Sequence, residues 1–401
     1  MAERRAEVAV ILLTAAMALA TAGQAGALDF GPEEIVEANG VDIVVPGYSI
    51  PSFEDWNNDL LKDLIVGQGS PSPAKVRVYL NVGTEADPQF DSFFYAQANG
   101  ADLTCPSSGC LGCFPRVVYW DEDDRKDLLV GQSDGNVKVF LNVGTDEAPT
   151  FDSGALLKVG SGDAFTLDVG NRATPVPVDW NSDGRLDLVA GGYDGAIHIY
   201  YNCGCGGAVP PHFNFSEPYG DFAEEDGDVL QVPGGRSSPA IADLDGDGLN
   251  DLLVGNTYGQ LLFYQNIGLD FAPVFAGYTP ATSNGVPIDL SGSPRSRPSV
   301  CHWTGDGHFG PKDGYWDVLV GSADGKIRLY RGIPEFGDYD ADGDIDVDDL
   351  RVFVEAWRQP DPPADSLADL NADGVLDPLD LEAFVDLMLA ANISVAPDNA
   401  E

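Results

Sequence analysis

The chain has few basic residues: 21 lysines and arginines stand against 65 aspartates and glutamates in 401 residues, for a formal net charge of −44. Such an excess of negative charge repels phosphate groups, which argues against nucleic acid or an anionic membrane surface as partner. Cations are the natural counterpart. Hydrophobic residues make up 44% of the chain and aromatic residues 10%, enough to bury a sizeable core, so the composition predicts a folded protein.

Long hydrophobic runs are also scarce. No segment after residue 27 approaches the roughly 18 apolar residues of a transmembrane helix. The N-terminus carries Arg4 and Arg5, an apolar run over residues 8–22, and Ala25-Gly26-Ala27, the small-x-small pattern of a signal-peptidase site. We predict a signal peptide over residues 1–27, cleaved after Ala27, and a secreted mature chain without a membrane span. Retention of the uncleaved run as an anchor is the alternative.

Catalytic signatures are missing from the sequence. It has four histidines and no HExxH, GxSxG or P-loop pattern. A pair of carboxylates acting on a glycosidic bond is compatible with so many acids, but most of the acids fall in the loops described below. The sequence therefore predicts a protein that is not an enzyme.

The six cysteines fall in three places, which are Cys105, Cys110 and Cys113, then Cys203 and Cys205, and finally Cys301. In an exported chain they predict disulfides within or between the first two groups, with the connectivity left open. A zinc site built from those five thiolates is the alternative, and it lacks the usual paired CxxC knuckles.

The sequence repeats at an interval of about sixty residues. Phenylalanine returns in steps of 60, 61, 62, 62 and 61 residues, at Phe30, Phe90, Phe151, Phe213, Phe275 and Phe336. Each unit also contains a proline that opens a short strand and an apolar run from aspartate to glycine, such as 187–191. β-Branched and aromatic runs between Gly, Asp and Asn turns predict four antiparallel strands per unit.

Four strands per unit predict one blade of a propeller, because such units bury their faces only against neighbours in a ring. We predict an all-β fold with a five-bladed β-propeller over residues 28–336. The stretch from Phe30 to Gly47 matches the opening of later repeats and is expected to supply strands beside the last blade, closing the ring. An open stack of repeats is the alternative architecture.

Acidic loops occupy equivalent places in the repeats. The loop at 179–187 puts side-chain oxygens at positions 1, 3, 5 and 9 around Gly184, and the loops at 55–63 and 243–251 repeat this, although Leu60 replaces the glycine in the first. A hard cation such as Ca²⁺ requires this alternation of oxygens. The predicted ligands are Asp55, Asn57, Asp59, Asp63, Asp179, Asn181, Asp183, Asp187, Asp243, Asp245, Asp247 and Asp251.

The second and fifth units depart from this pattern. Tyr119 takes position 1 in the second, and His302 and Thr304 precede an insertion in the fifth, so calcium binding there is left open. Ordinary Asx-rich turns are the alternative for all five loops. The motif D-x-[DN]-x-D-G-x-x-D-[LV], repeated at blade spacing, resembles the FG-GAP/VCBS repeat family, the propeller type also found in integrin α-chains. This resemblance covers roughly three quarters of the chain. It implies a calcium-stabilised propeller used for adhesion or ligand recognition.

Two further loops follow at the C-terminus, 31 residues apart, with EF-hand spacing and Asp at position 12. Each runs into a segment with helical apolar spacing. The predicted ligands are Asp338, Asp340, Asp342, Asp344 through its carbonyl, Asp346 and Asp349, then Asp369, Asn371, Asp373, Val375 through its carbonyl, Asp377 and Asp380.

This pair of loops resembles a dockerin, a small α-helical calcium domain, here over residues 337–390 with a flexible tail at 391–401. The resemblance implies two of about five calcium ions in the chain and a cohesin-like protein as partner. The positions that set partner choice, often Ser-Thr in familiar dockerins, are Val347-Asp348 and Pro378-Leu379 here. A structural calcium cap without a partner is the alternative.

The sequence thus predicts a secreted calcium-binding recognition or adhesion protein. Its propeller binds an extracellular glycan or protein ligand, and its dockerin-like module assembles with a cohesin-like partner. The alternatives are a component of a polysaccharide-degrading system, either a glycoside hydrolase or an accessory protein, and a structural surface protein. Tryptophan at loop position 2 suggests stacking on sugar rings, with packing inside the blades as the alternative, at Trp56, Trp120, Trp180 and Trp303.

Overall fold

The computed structural model describes residues 28–332 with gaps at 108–111, 122, 162, 205–212, 214–220, 226, 270–271 and 304–314. The predicted signal peptide, the dockerin-like domain and the tail lie outside these residues. The described part is all β, as the repeat pattern predicts, and contains no α-helix. These residues form no helix that could cross a membrane.

Thirty-two short strands make up the described part of the chain. The first sixteen are β1 Asp29–Phe30, β2 Glu34–Ile35, β3 Glu37–Ala38, β4 Val41–Asp42, β5 Ser49–Glu54, β6 Asp63–Gln68, β7 Ala74–Asn81, β8 Phe90–Tyr95, β9 Gln97–Ala98, β10 Ala101–Asp102, β11 Thr104–Cys105, β12 Phe114–Val118, β13 Asp127–Gly131, β14 Val137–Phe140, β15 Ala155–Leu156 and β16 Lys158–Val159. The others are β17 Phe165–Thr166, β18 Thr174–Val178, β19 Asp187–Gly191, β20 Ile197–Tyr200, β21 Asp221–Phe222, β22 Glu224–Glu225, β23 Asp228–Val229, β24 Ser238–Ala242, β25 Asp251–Gly255, β26 Leu261–Tyr264, β27 Thr279–Pro280, β28 Thr282–Ser283, β29 Val286–Pro287, β30 Arg297–Cys301, β31 Asp317–Gly321 and β32 Ile327–Tyr330.

Five antiparallel sheets repeat along the chain. Their strand orders are β5-β6-β7-β8, β12-β13-β14-β15, β18-β19-β20-β21, β24-β25-β26-β27 and β30-β31-β32-β2, and β3, β4 and β11 extend the first sheet. The first strand of each sheet contacts the first strand of the next, and β30 of the fifth sheet contacts β5 of the first. These contacts form a closed circuit, which is the arrangement of a β-propeller and contradicts the open-stack alternative.

The N-terminal segment completes the fifth sheet, as predicted. Strand β2 pairs antiparallel with β32, placing Glu34 opposite Leu329, and Phe30 bridges to Gly332. Strand β1 pairs parallel with β28 beside the fourth sheet. The N-terminal strand β2 and the last described strand, β32, are therefore joined by hydrogen bonds, which protects an edge that would otherwise be open to another chain.

The core lies between successive sheets and not within any one of them. The second strand of every sheet carries the motif Asp-apolar-apolar-apolar-Gly and is buried along its whole length, because it is flanked by strands on both sides and by sheets on both faces. Its glycine is a point of close approach: a Cβ at Gly191 would clash with the carbonyl of Ser237 in the next sheet, and one at Gly321 with the carbonyl of Ser49. Only glycine lets adjacent sheets meet there.

Cys105 and Cys113 form a disulfide, with their Cα atoms 5.8 Å apart, and Cys203 is also disulfide-bonded. Pairing within the first cysteine group was one of the connectivities left open by the sequence. The zinc alternative required both of these sulfurs as thiolates and is therefore contradicted. Cys301 lies buried at the end of β30.

Candidate metal centre and its supporting aspartates

The three intact acidic loops join the first strand to the second in their sheets. They follow β5, β18 and β24 and lead into β6, β19 and β25. All three therefore lie at the end of the ring where the inner strands finish. This placement follows from the repeat, since each loop stands at the same point of its unit.

The fourth-unit loop brings three acids together. Carboxylate oxygens of Asp243, Asp245 and Asp247 all lie within 4.8 Å of one another. The left-handed turn at Gly248, with φ of 87°, lets its N–H donate to Asp243 Oδ2 at 2.9 Å. Leu249 N–H donates to Asp247 Oδ1 at 2.9 Å. The backbone of the turn thus holds positions 1 and 5 of the loop in a fixed relation.

One oxygen of this loop has no partner among the described atoms. Asp243 Oδ1 is buried and accepts no hydrogen bond, although its carboxylate lies beside two others. Burial and the neighbouring Asp247 raise the pKa of Asp243, and burial raises the pKa of Asp245. A buried, unpaired carboxylate oxygen among like charges is costly, and a hard cation would remove that cost.

The third-unit loop has the same backbone arrangement. Asp179 Oδ2 accepts from Gly184 N at 2.8 Å, and its Oδ1 accepts from Asp183 N at 3.0 Å. Arg185 N donates to Asp183 Oδ1 at 3.0 Å, and the Arg185 guanidinium also pairs with that carboxylate. Positions 1 and 5 are therefore oriented as they are in the fourth unit.

The first-unit loop keeps this geometry without its glycine. Leu60 adopts φ of 73°, and its N–H donates to Asp55 Oδ2 at 3.1 Å. A leucine in this conformation costs roughly 1–3 kcal/mol. Asp55 Oδ1 and Asn57 Oδ1 are both buried without hydrogen-bond partners, while Lys126 Nζ lies 3.5 Å from Asp55 Oδ2. Two predicted ligand oxygens of this loop are thus buried without a hydrogen bond.

The second and fifth loops differ from these three. In the second, Asp121 Oδ1 accepts from Asp123 N at 3.3 Å, and burial together with Asp123 raises the pKa of Asp121. Tyr119, at position 1, offers no carboxylate. In the fifth, His302 stacks on Trp316 at 4.1 Å between ring centroids, and residues 304–314 are not described. Calcium binding in both loops remains open.

The aspartate at position 9 has a structural role that the sequence analysis missed. Asp187 Oδ2 accepts from Trp180 N at 3.1 Å, and its Oδ1 accepts from Asn202 N at 2.7 Å. The carboxylate therefore joins the start of the loop to the end of the third strand. We call this arrangement the aspartate clamp. It recurs in every unit, and its acids are at most 3% exposed: Asp63, Asp127, Asp187, Asp251 and Asp317.

A signal for the clamp was present in the sequence. Position 9 is aspartate in all five units, including the second and fifth, whose other ligand positions are altered. A residue that served only a metal would have no reason to persist where the metal pattern is broken. Because a carboxylate oxygen has two lone pairs, the assignment of Asp63, Asp187 and Asp251 as calcium ligands stays a prediction beside their role in the clamp.

Burial of the clamp gives the calcium-free protein a specific pH dependence. Burial outweighs the two amide hydrogen bonds and raises the pKa of Asp63 and Asp251 to about 7, and that of Asp127 and Asp187 to about 6. These values exceed the ordinary aspartate pKa of 3.8, so the folded protein binds more protons than the unfolded chain between about pH 4 and pH 7. The stability that these groups contribute is full below about pH 4 and is lost as pH rises through 7.

We therefore expect the melting temperature of the chelated protein to fall steadily between pH 5 and pH 8. Differential scanning calorimetry in EDTA measures it. The Asp127→Asn variant, compared with wild type, should show a weaker fall because one titrating group is gone. Asp324 makes the opposite contribution to the pH dependence. Its burial would raise its pKa, but hydrogen bonds from Arg328 and Ser322 outweigh burial and lower the pKa, so the titration of Asp324 affects stability only below about pH 4. A melting temperature that rises over this range would contradict the expectation.

The four tryptophans at loop position 2 are buried and not available to a sugar. They are 1–6% exposed, and each packs against the recurring phenylalanine of the next unit: Trp56 on Phe151, Trp120 on Phe213, Trp180 on Phe275 and Trp303 on Phe90, with ring centroids 5.6–6.3 Å apart. In the fourth unit Leu244 takes this place in a cluster with Phe30. The suggestion that these rings stack on sugars is contradicted. They fill the space between sheets.

Comparison with known proteins finds one family model and several solved structures to which this chain is similar. Solved structures similar to this chain include a putative oxidoreductase (glucose dehydrogenase) from Thermus thermophilus, with 13% identity, coverage of 74% of this chain and 99% of that one, and a TM-score of 0.37. A GH43_1 enzyme from Xanthomonas citri complexed with xylose has 10% identity, coverage of 75% and 90%, and a TM-score of 0.41. The Tc holotoxin pore of Photorhabdus luminescens has 16% identity, coverage of 70% and 11%, and a TM-score of 0.30.

These TM-scores are too low to transfer the activity of any of these proteins to this chain. No curated protein matches the sequence. Residues 179–254, which contain the acidic loops of the third and fourth units, match the model of the FG-GAP-like repeat.

Proposed function

We propose that the protein is a secreted, calcium-binding recognition protein without catalytic activity, built on a five-bladed β-propeller. The five sheets and the closed circuit of contacts between their first strands support the blade number. The predicted signal peptide supports export. Two observations support a recognition function: the sequence lacks catalytic motifs, and residues 179–254 match the FG-GAP-like repeat model. The carboxylates of the acidic loops are suited to binding a cation.

The convergence of Asp243, Asp245 and Asp247 around the unpartnered Asp243 Oδ1 carries this proposal. Carboxylate oxygens at alternate positions of a tight turn fit the ligand preference of Ca²⁺, and the carbonyl of Leu249 at position 7 would complete the loop's contribution. Equivalent loops in the first and third units would hold two more ions. The ions would neutralise local charge and fix the loops that connect the two inner strands of each blade.

The C-terminal residues 337–390 are proposed to add two calcium ions and to dock a cohesin-like partner. This part of the proposal is supported by the paired EF-hand spacing alone. In this arrangement the propeller would face an extracellular ligand, and the C-terminal module would attach it to a larger assembly.

Calorimetric titration of calcium into the chelated mature protein tests the proposal. We expect uptake of about five ions, three in the propeller and two at the C-terminus. Each site should add about 2.7 kcal/mol to the free energy of unfolding when free calcium is a hundredfold above its dissociation constant. No calcium uptake, with unchanged stability, would contradict the proposal.

The Asp243→Asn variant makes the test specific to one loop. Asparagine keeps an oxygen that can accept from Gly248 N but removes the negative charge and one ligand oxygen. We expect one fewer ion bound and the loss of that site's share of stability. The matched control is Asp228→Asn, an equal change of charge at an exposed position of β23, which should leave the stoichiometry unchanged.

A further inference from the structure

Lys126 belongs to the second unit, but its side chain ends at the acidic loop of the first. Its Nζ donates to the backbone carbonyl of Asp55 at 2.7 Å and lies 3.5 Å from Asp55 Oδ2. Both side chains are mostly buried, with 12% and 11% of their surfaces exposed. Asp55 holds position 1 of the loop, the place of the first predicted calcium ligand. An ammonium group therefore lies beside a carboxylate that calcium would use.

The residue immediately before the aspartate clamp reaches the loop of the preceding unit. In the third unit this residue is Leu186, which packs against the core cluster that contains Trp120 of the second loop. In the fifth unit it is Trp316, which packs against the cluster that contains Leu244 of the fourth loop. Lys126 holds the same position in the second unit. It therefore brings a positive charge to a place that apolar side chains fill elsewhere.

The backbone of Lys126 is anchored on both sides. Its N–H donates to Asp146 Oδ1 at 2.7 Å. The next residue, Asp127, is the clamp of the second unit and accepts from Trp120 N at 3.0 Å and from Asn142 N at 2.7 Å. The ammonium group is therefore presented to the first loop from a rigid support.

The third and fourth loops differ from the first at this point. Among the described residues, neither Asp179 nor Asp243, which hold position 1 of these loops, forms an ion pair. In the third loop Arg185 pairs instead with Asp183, at position 5. The first loop alone of these three has a cation beside position 1, and it also keeps two buried ligand oxygens without hydrogen bonds.

An ammonium group at this place opposes calcium in two ways. It already neutralises part of the negative charge of the loop, and it repels a doubly charged ion placed close to it, most strongly where water is excluded. Calcium ligands lie at about 2.3–2.6 Å, closer than the 3.5 Å between Lys126 Nζ and Asp55 Oδ2. Calcium therefore competes with the lysine successfully, but only at a higher concentration than an uncharged neighbour would require.

We propose that Lys126 lowers the affinity of the first-unit loop for calcium and supports this loop when calcium is scarce. This inference rests on the proposed calcium function and assigns a residue that tunes one of its sites. It makes the contact between the first and second units sensitive to calcium concentration. At low calcium the ammonium group joins the two units, and at high calcium the ion takes over the charge of Asp55.

Calorimetric titration of calcium into the chelated mature Lys126→Met variant tests this inference. Methionine keeps a long unbranched side chain and removes the charge. We expect one binding step to become tighter than in wild type by about tenfold or more, because a repulsion at short range is gone. The double variant Asp55→Asn/Lys126→Met should lose that step, which assigns it to the first loop.

Two further variants control for charge and for folding. Lys158→Met removes one positive charge from an exposed site in β16 and should change every step by less than about twofold, because salt screens distant charges. Lys126→Gln carries an uncharged amide that can still donate a hydrogen bond, and it should show the same tightening as Lys126→Met.

The melting temperature gives a second readout that a purely structural role would not produce. In EDTA, Lys126→Met should melt below wild type, because Asp55 has lost the ammonium group that joins the two units. Saturating calcium should remove or reverse this difference, because the ion binds the variant more tightly. A lysine that served only packing would leave the same difference in both conditions.

The outcomes separate this inference from the proposed function. If no step tightened in Lys126→Met beyond the change in Lys158→Met, or if the tightened step survived Asp55→Asn, the inference would be overturned. Normal calcium uptake by wild type would then leave the calcium proposal standing. An absence of calcium uptake in wild type and in every variant would refute both.

Discussion

Replacing Asp187 with alanine is expected to lower the free energy of unfolding by about 3–5 kcal/mol, measured by urea denaturation. The carboxylate is fully buried and accepts from Trp180 N and Asn202 N. Its removal leaves two backbone N–H groups without acceptors, and each costs about 1–3 kcal/mol. The small cavity adds to this loss. Asp187→Asn should be intermediate, since an amide can accept at its oxygen but presents an NH₂ group to the second donor.

The equivalent substitution in the second unit separates the clamp from any metal. Asp127→Ala should destabilise the protein by a similar amount in EDTA and in calcium, because its loop lacks an acid at position 1. Asp228→Asn, at an exposed position, should change stability by less than about 0.5 kcal/mol. If the cost of Asp187→Ala disappeared in EDTA, Asp187 would be a calcium ligand alone and the clamp would be wrong.

Replacing Trp180 with alanine is the second substitution with a large expected effect, a loss of about 3–5 kcal/mol in the free energy of unfolding. The side chain is 1% exposed and packs between sheets with its ring centroid 6.3 Å from that of Phe275. Truncation leaves a cavity at the junction of two sheets, which cannot close without moving a whole sheet. Urea denaturation in saturating calcium measures this loss without interference from the loops.

The fourth unit supplies a natural control for this substitution. Leu244 occupies the tryptophan's position there and packs in a cluster with Phe30. Trp180→Leu should therefore cost less than half as much as Trp180→Ala. Full stability of Trp180→Ala would contradict the packing role.

The repeat pattern was the part of the sequence from which most could be predicted. Steps of about sixty residues between phenylalanines give units of equal size, and Phe30 identifies an N-terminal piece that belongs with the last unit. The pairing of β2 with β32 confirms that expectation. Local periodicity suffices to predict the units because equivalent residues pack in the same way in each of them.

Functions of single residues were harder to predict, since they depend on which atoms meet across units. Trp180 and Phe275 are 95 residues apart in the chain, yet they form one contact, and the sequence could not distinguish an exposed ring from a buried one. The same holds for Asp187, whose recurrence was visible but whose second partner, Asn202, lies just after a different strand, β20.

The sequence by itself determined the repeat, the all-β character and the alternation of oxygens in three loops, because these are local patterns along one strand or turn. The tertiary structure decided which recurring residues are buried clamps and which rings fill the spaces between sheets. These outcomes depend on closure of the ring, which brings side chains of successive units into contact. No local pattern carries that information, because the distance between two residues in a closed ring is set by the sheets between them.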